Sequence, residues 1–313
     1  MGPIGSGFYW LSKRKWPNRF TKSPLGKRAF SGLTKKFLAG EDLEEAASAA
    51  RKYEQYGIAS SLSHVGEDLK KEEDVEKEAE ETIRIISTIS EQGIKGDISV
   101  KPSHLGYNVK GRGDFCYDNL KRVVRYAKGK GVNVEIDMEG GKLTDYTIEL
   151  YLDFHEQYPP IIVALQANHE KAEKHAEKLL RENGNIRLVK GAYSDPKHFI
   201  TGRVEVDRAY KRITDMALYK SKSGSYRTAI ATHDAELIRH AEWIIGHMEV
   251  PKENYEFQML HGVRTEELHR LAQGGHPTRV YLSYGEDWFP YVMRRLAERP
   301  SNAFLFIRSM LQG

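Results

Sequence analysis

From Gly40 onward, short β-branched or apolar runs recur, each separated from the next by a longer polar stretch with helical periodicity. The runs are Gly57–Leu62, Asp97–Lys101, Val132–Met138, Pro160–Gln166, Asn185–Lys190, Arg227–Thr232, Tyr255–Leu260 and Thr278–Ser283. The intervening stretches predict helices over Asp68–Gln92, Cys116–Lys130, Thr144–Gln157, Glu170–Asn183, Val204–Lys222, Ala235–His247, Arg264–Ala272 and Glu286–Glu298. Gly93, Gly131 and Gly184 stand just past three of these helices, where a left-handed residue closes the last turn. Near-continuous apolar strands alternating with helices predict parallel strands covered on both faces. Eight such units predict an α/β fold, a single (β/α)8 barrel of TIM type, distorted, over residues 41–313. A doubly wound open sheet is the competing architecture, but no G-x-G-x-x-G follows the first strand to support it.

The length of 313 residues suits one barrel or two ordinary domains. With 40% apolar and 29% charged residues, general disorder is excluded. The single cysteine, Cys116, excludes an internal disulfide framework and a cysteine zinc site. No apolar run is long enough for a spanning helix.

The net charge of +4 conceals a split. Residues 1–40 hold nine Lys or Arg and no acid, so the rest of the chain carries 4 − 9 = −5. A basic aromatic arm over residues 1–40, expected to be helical, therefore precedes a mildly acidic body. The body lacks the basic stripe that nucleic-acid binding requires. The arm has no apolar stretch of the kind that follows the basic residues of a secretory signal, and Pro17 and Pro24 interrupt any long amphipathic helix. Two readings stand for it: aromatics packed on the body, or a peripheral membrane contact with Trp and Tyr at the interface and Lys/Arg on anionic head groups. The expected location is cytoplasmic, with contact at the inner face of the cell membrane under the second reading.

In such a barrel, active-site residues sit where strands end and βα loops begin. Polar residues gather there: Lys101, Ser103 and His104; Asp137 and Glu139; Gln166; Arg187, Lys190 and Tyr193; Thr232, His233 and Asp234; Gln258 and His261; and Tyr281. Singly, each suits a structural hydrogen bond. Seven of eight strands delivering polar groups to one rim point to a site. Asp137, His104, His233, Asp234 and His261 could offer metal ligands, but no H-x-H or H-E-x-x-H spacing supports one. Lys101 and Lys190 lie where a lysine-dependent aldolase keeps its nucleophile, and the spacing leaves that reading open. A catalytically silent barrel used for binding is a third. In the last predicted helix, Tyr291 and Arg295 are i,i+4, as are Arg294 and Glu298. Adjacent arginines point about 100° apart on a helix, so the two can grip different oxygens.

Arg187-Leu-Val-Lys190-Gly-Ala-Tyr193, Ala231-Thr-His-Asp234, Glu256-Phe-Gln-Met-Leu-His-Gly262 and Tyr281 with Tyr291-Val-Met-Arg294-Arg295-x-x-Glu298 together resemble proline dehydrogenase. Ser99-Val-Lys101-Pro-Ser-His-Leu105, Ile136-Asp137-Met and Phe37-Leu-Ala-Gly40-Glu-Asp-Leu match it too, so the likeness covers roughly residues 30–310. The length matches the short, monofunctional form. The resemblance implies oxidation of L-proline to Δ1-pyrroline-5-carboxylate with bound FAD and a membrane quinone as electron acceptor. It implies a carboxylate clamp of Lys101, Arg294 and Arg295. Tyr193, Leu260 and Tyr281 would wall the proline ring, and Asp137 would position Lys101 and the flavin. For FAD it implies Gln166, Arg187, Val189, Lys190, Gly191, Ala192, Thr232, His233, Gln258 and Glu298, with Thr214 and Asn302. Asn168 and His169 depart from the family's usual aromatic and apolar residues. Asp234 stands where Asn also occurs. Tyr284 and Pro290 carry no assignment.

Overall fold

The structure is a computed structural model. It describes residues 34–298 apart from 67, 68, 112, 159, 194, 196 and 225, together with residues 7, 10 and 32. The side chains of 297 and 298 lie outside that description, as does most of the basic arm.

Eight parallel strands close into a barrel in chain order: β1 Ala59–His64, β2 Gly96–Val100, β3 Val134–Ile136, β4 Ile161–Gln166, β5 Asn185–Val189, β6 Thr228–Ala231, β7 Tyr255–Leu260 and β8 Thr278–Tyr284. Closure is made by β1 against β8, paired from Ala59 with Arg279 to His64 with Tyr284. The helices are α1 Leu43–Glu54, α2 Glu72–Glu91, α3 Phe115–Lys130, α4 Gly141–His155, α5 Ala172–Arg181, α6 Arg203–Ser221, α7 Ala235–Met248, α8 Thr265–Gln273 and α9 Phe289–Glu298.

The strands are not uniformly apolar. They alternate: Leu62, Ile98, Val134, Ile136, Leu188, Phe257, Val280 and Leu282 face the helices in one continuous core. The residues between them, such as Ser61, Asp97, Ser99, Glu135, Arg187, Glu256, Gln258 and Arg279, fill the barrel interior, yet they too are buried. Each outward Leu or Ile contributes about 1.5–3 kcal/mol by leaving water. The interior groups are held by mutual hydrogen bonds and ion pairs instead, because buried polar atoms need partners.

The helix after β8 is where the barrel departs from regular alternation. Rather than lying outside the sheet, α9 packs with Phe37, Leu38, Val65 and Trp288 in a second apolar cluster that includes Tyr291, Val292, Met293 and Leu296. The outer position beside β1 and β8 is taken by α1. Asp42 caps α1 by accepting from Glu45 N at 2.9 Å, and the Glu45 carboxylate accepts in turn from Glu41 N.

Two of the three expected helix-closing glycines adopt the left-handed conformation, Gly93 (φ 63°) and Gly131 (φ 70°). After α5 that conformation falls to Asn183 (φ 56°), and a Cβ at Gly184 would sit tightly against Leu179 O at 3.0 Å.

Candidate active site

The carboxyl ends of the strands open on a cavity of about 690 Å³. Lys101 follows β2, Asp137 follows β3, Gln166 ends β4, Arg187 and Val189 lie on β5, Gln258 and Leu260 on β7, and Tyr281 on β8. Thr232 and His233 follow β6. Because α9 lies against the 34–38 segment and Val65 rather than outside the sheet, it brings Tyr291, Arg294 and Arg295 to the same cavity. The Arg295 guanidinium sits 5.3 Å from the Tyr291 ring centroid, the i,i+4 contact expected from sequence.

Asp137 is the hub. Its Oδ1 accepts from Ser99 Oγ at 2.8 Å and from Arg187 Nη2. Its Oδ2 accepts from the Tyr281 hydroxyl at 2.8 Å and lies 3.6 Å from Lys101 Nζ. Burial alone would raise this carboxyl, but Arg187, Lys101, Ser99 and Tyr281 outweigh it and hold its pKa at about 2. Lys101, whose Nζ also donates to Ser63 Oγ at 3.2 Å, is kept firmly cationic: burial opposes the charge, but Tyr281, Asp137 and Glu139 outweigh burial. The Tyr281 phenol is pushed up to about 12 by burial and by Asp137. Its ring lies 5.4 Å from the Arg187 guanidinium carbon.

A second polar layer lies below. Glu135 accepts from Arg187 Nη1 at 2.7 Å, Ser61 Oγ at 2.8 Å and Gln258 Nε2 at 2.8 Å. At the floor, Arg279 pairs with Glu256 at 3.0 Å and Asp97 at 2.9 Å, and Arg227 also reaches Glu256.

The arc from β4 to β6 is built differently. Gln166 Nε2 donates to Glu139 O at 2.9 Å, while the Glu139 carboxylate takes Ser103 N at 2.8 Å and Ser103 Oγ at 2.6 Å. Asn168 staples the β5 loop: its N donates to Lys190 O at 3.0 Å and its Nδ2 to Tyr193 O at 2.8 Å. A Cβ at Gly191 (φ 109°) would collide with the Asn168 side chain, so both the backbone conformation and this approach require glycine. Lys190 pairs with Asp207 and, at 3.2 Å, with Asp234, which also caps α7 by accepting from Glu236 N. Asn would cap equally well. His233 Nε2 accepts from Leu260 N at 2.9 Å, tying β6 to β7.

Most of the sequence candidates thus converge, but several do not. Thr214 is fully buried on α6 with its hydroxyl on Tyr210 O of its own helix, between helix and barrel rather than at the cavity. His104 turns to Glu78, which also holds His64, and His261 turns to Tyr53, so the candidate metal ligands are not gathered. Among the described residues no group of three or more His, Cys, Asp or Glu is placed to hold a metal. Asn302 and the Glu298 side chain lie outside the described residues. The structure adds Met138, Arg203 and Val263 to the lining. It also adds Ser63, Ser99 and Glu135 behind it; the signal in sequence for Ser99 and Glu135 is the alternation within Ser99-Val-Lys101 and Glu135-Ile-Asp137.

A family model for proline dehydrogenase matches residues 46–305. The chain is 34% identical over 301 residues to proline dehydrogenase 2 of Bacillus subtilis, covering 96% of each protein. It is 32% identical over 295 residues to proline dehydrogenase of Deinococcus radiodurans, covering 92% of this chain and 93% of that one. In fold it is similar to proline utilization A from Bdellovibrio bacteriovorus inactivated by N-propargylglycine, with TM-score 0.82 at 20% identity. The alignment covers 96% of this chain and 42% of that longer protein.

Proposed function

The chain belongs to the proline dehydrogenase family, and from that premise we propose that it oxidises L-proline to Δ1-pyrroline-5-carboxylate with FAD and passes the electrons to a quinone. Oxidation of proline is the first step of proline catabolism. The observation that carries the finer reading is the division of the cavity into two arcs. One arc, from β4 to β6, presents Gln166, Arg187, Val189, the 190–192 loop, Thr232 and His233. The other, from β7 round to β3 and α9, presents Leu260, Tyr281, Lys101, Asp137, Arg294 and Arg295. The first arc fits a flavin: Ala164, Val189 and Ala231 give it apolar wall, and Arg187, Lys190 and Arg203 give it cations. The volume is within the ordinary range of small-molecule sites, about 300–1,000 Å³.

Gln166, Arg187, Val189, the 190–192 loop, Thr232 and His233 would hold FAD, which would supply the acceptor for a hydride from proline C5. The chain's own residues bind, orient and set charge. Lys101, Arg294 and Arg295 clamp the carboxylate, and the guanidinium forks fix the ring's direction. Leu260, Tyr193 and Tyr281 wall the ring. Asp137 stays a carboxylate throughout the neutral range, so it anchors Lys101, Arg187 and Tyr281 rather than accepting the amine proton. The proline nitrogen must lose its proton before its lone pair can support the developing iminium, and the cations about it favour that loss. Arg187 supplies fixed positive charge to the arc that would hold the cofactor, which would favour its reduced form.

The same geometry weighs against the aldolase reading. A Schiff-base lysine needs a lowered pKa, whereas Lys101 is held cationic and Lys190 is paired with Asp207 and Asp234. For a quinone acceptor, the nine cations and the aromatics of residues 1–40 supply a salt-dependent membrane contact. Among the described residues no helix is long and apolar enough to cross a membrane.

Purified protein is expected to be yellow and to bleach when L-proline is added without oxygen. Colourless protein that FAD does not reconstitute would overturn the flavin reading. Loss of residues 1–28 should weaken liposome binding and quinone turnover together, and unchanged values would return the arm to a packing role.

A further inference from the structure

One carboxylate beneath the cavity has no part in the proposed chemistry. Glu135 stands two residues before Asp137 on the same face of β3 and is wholly buried. Three donors from three other strands converge on it. Its Oε2 takes Arg187 Nη1 at 2.7 Å and Ser61 Oγ at 2.8 Å, and its Oε1 takes Gln258 Nε2 at 2.8 Å. Arg187 is therefore gripped by two carboxylates at once, Glu135 below and Asp137 at the cavity. A guanidinium held by one partner can swing. One whose two terminal nitrogens are tied to different carboxylates has its plane fixed. The two carboxylates also balance the two cations here, Lys101 and Arg187.

We propose that Glu135 is a positioning residue for the oxidation. It fixes the plane of Arg187 and cancels one of the two positive charges that line the cavity here. It thereby sets both the direction in which Arg187 faces the reacting groups and the strength of the field they experience. The proposal rests on the reading of Arg187 as the cation beside the flavin. Removing the Glu135 charge leaves one uncompensated cation at the cavity. Excess positive charge stabilises the electron-rich reduced cofactor and disfavours a protonated substrate amine.

The test uses Glu135→Gln and Glu135→Asp in the full-length holoenzyme. Glu135→Gln should raise the flavin midpoint potential by ~30 mV, which for a two-electron couple is a tenfold change in the equilibrium. It should also move the acid limb of kcat for proline, which reports the bound amine, to lower pH. Glu135→Asp keeps the charge but retracts the carboxylate by one methylene. It should restore the potential and the pH limb while proline reduces the flavin about tenfold more slowly, with KM changed less than about twofold. A Glu135→Gln protein with the parent potential and pH limb, altered only in melting temperature, would show a purely structural role and sink the proposal. If Glu135→Gln does not fold, Glu135→Asp decides alone, and reduction at the parent rate overturns the proposal. Failure of the flavin reading itself shows separately, as parent protein that holds no flavin.

Discussion

Two aspartates on neighbouring strands, one at each end of the barrel, behave in opposite ways. Asp97 near the start of β2 is 4% exposed and faces Arg279, yet burial raises its carboxyl to about 6. Asp137 just past β3 is also largely buried, yet its carboxyl falls to about 2. The difference lies in charge balance, since Asp97 too accepts a hydrogen bond, from Asn133 Nδ2 at 2.9 Å. Arg279 Nη2 approaches Asp97 Oδ2 to 2.9 Å, but that oxygen receives no hydrogen bond among the described residues, and Glu135 and Glu256 add like charge. Asp137 receives Arg187, Ser99 and Tyr281 in hydrogen-bonding geometry, with Lys101 close by. Cations offset by neighbouring carboxylates do not hold down the buried Asp97, whereas the charges of Arg187 and Lys101, helped by hydrogen bonds from Ser99 and Tyr281, hold down Asp137. The floor is a closed network that fills the barrel. The mouth is the same kind of network with one side left to a ligand.

The largest expected effect tests the floor. Arg279→Met leaves Asp97 and Glu256 short of a partner and should cost about 3–5 kcal/mol of stability, read by chemical denaturation. Activity per folded molecule should stay near the parent value. A large loss of activity in stable protein would erase the distinction between floor and mouth.

Asp137→Asn should do the reverse, lowering kcat/KM for proline roughly 100-fold, or about 2.7 kcal/mol, with a smaller change in denaturation midpoint. Equal losses of stability and activity would reassign Asp137 to the floor's role.

The pH dependences should oppose each other. The folded pKa of Asp97 is raised, so its favourable contribution is complete below about pH 4 and is lost as pH rises through about 6. The folded pKa of Asp137 is lowered, so its contribution is present above about pH 4 and is lost as pH falls toward 2. Comparing the parent with Asp97→Asn, the stability difference should change by on the order of 2–3 kcal/mol between pH 4 and pH 6.5. A difference that does not vary with pH would show that Asp97 is ionised throughout.

The smallest effect sharpens the mouth. Arg295→Lys keeps the charge but loses the planar fork, so proline should bind about tenfold more weakly while the melting temperature barely moves. Parallel losses in both would make Arg295 a packing residue over Tyr291.

The eight strands and the rim residues were legible because strand and helix periods differ and because each rim residue sits at the end of an apolar run. The family motifs around Arg187, Thr232 and Arg294 mark the same positions. Thr214 misled because a helical threonine reads alike whether it faces a ligand or its own backbone. Glu135 escaped notice because a glutamate inside Val134–Ile136 looks like a solvent-facing strand residue until the barrel closes around it.

The sequence by itself determined the number and order of the strands, the barrel class and the residues delivered to its rim, since these follow from local periodicity and the direction of the strands. Only the tertiary structure decided which face of each strand is inside, where α9 lies, and which charges meet. Those depend on closure of β1 against β8 and on α1 occupying the outer site that α9 vacates. Strand alternation fixes that two faces differ. It does not fix that helices cover the outside with apolar contacts and leave the polar face, with its paired Asp, Glu, Lys and Arg, to fill the centre.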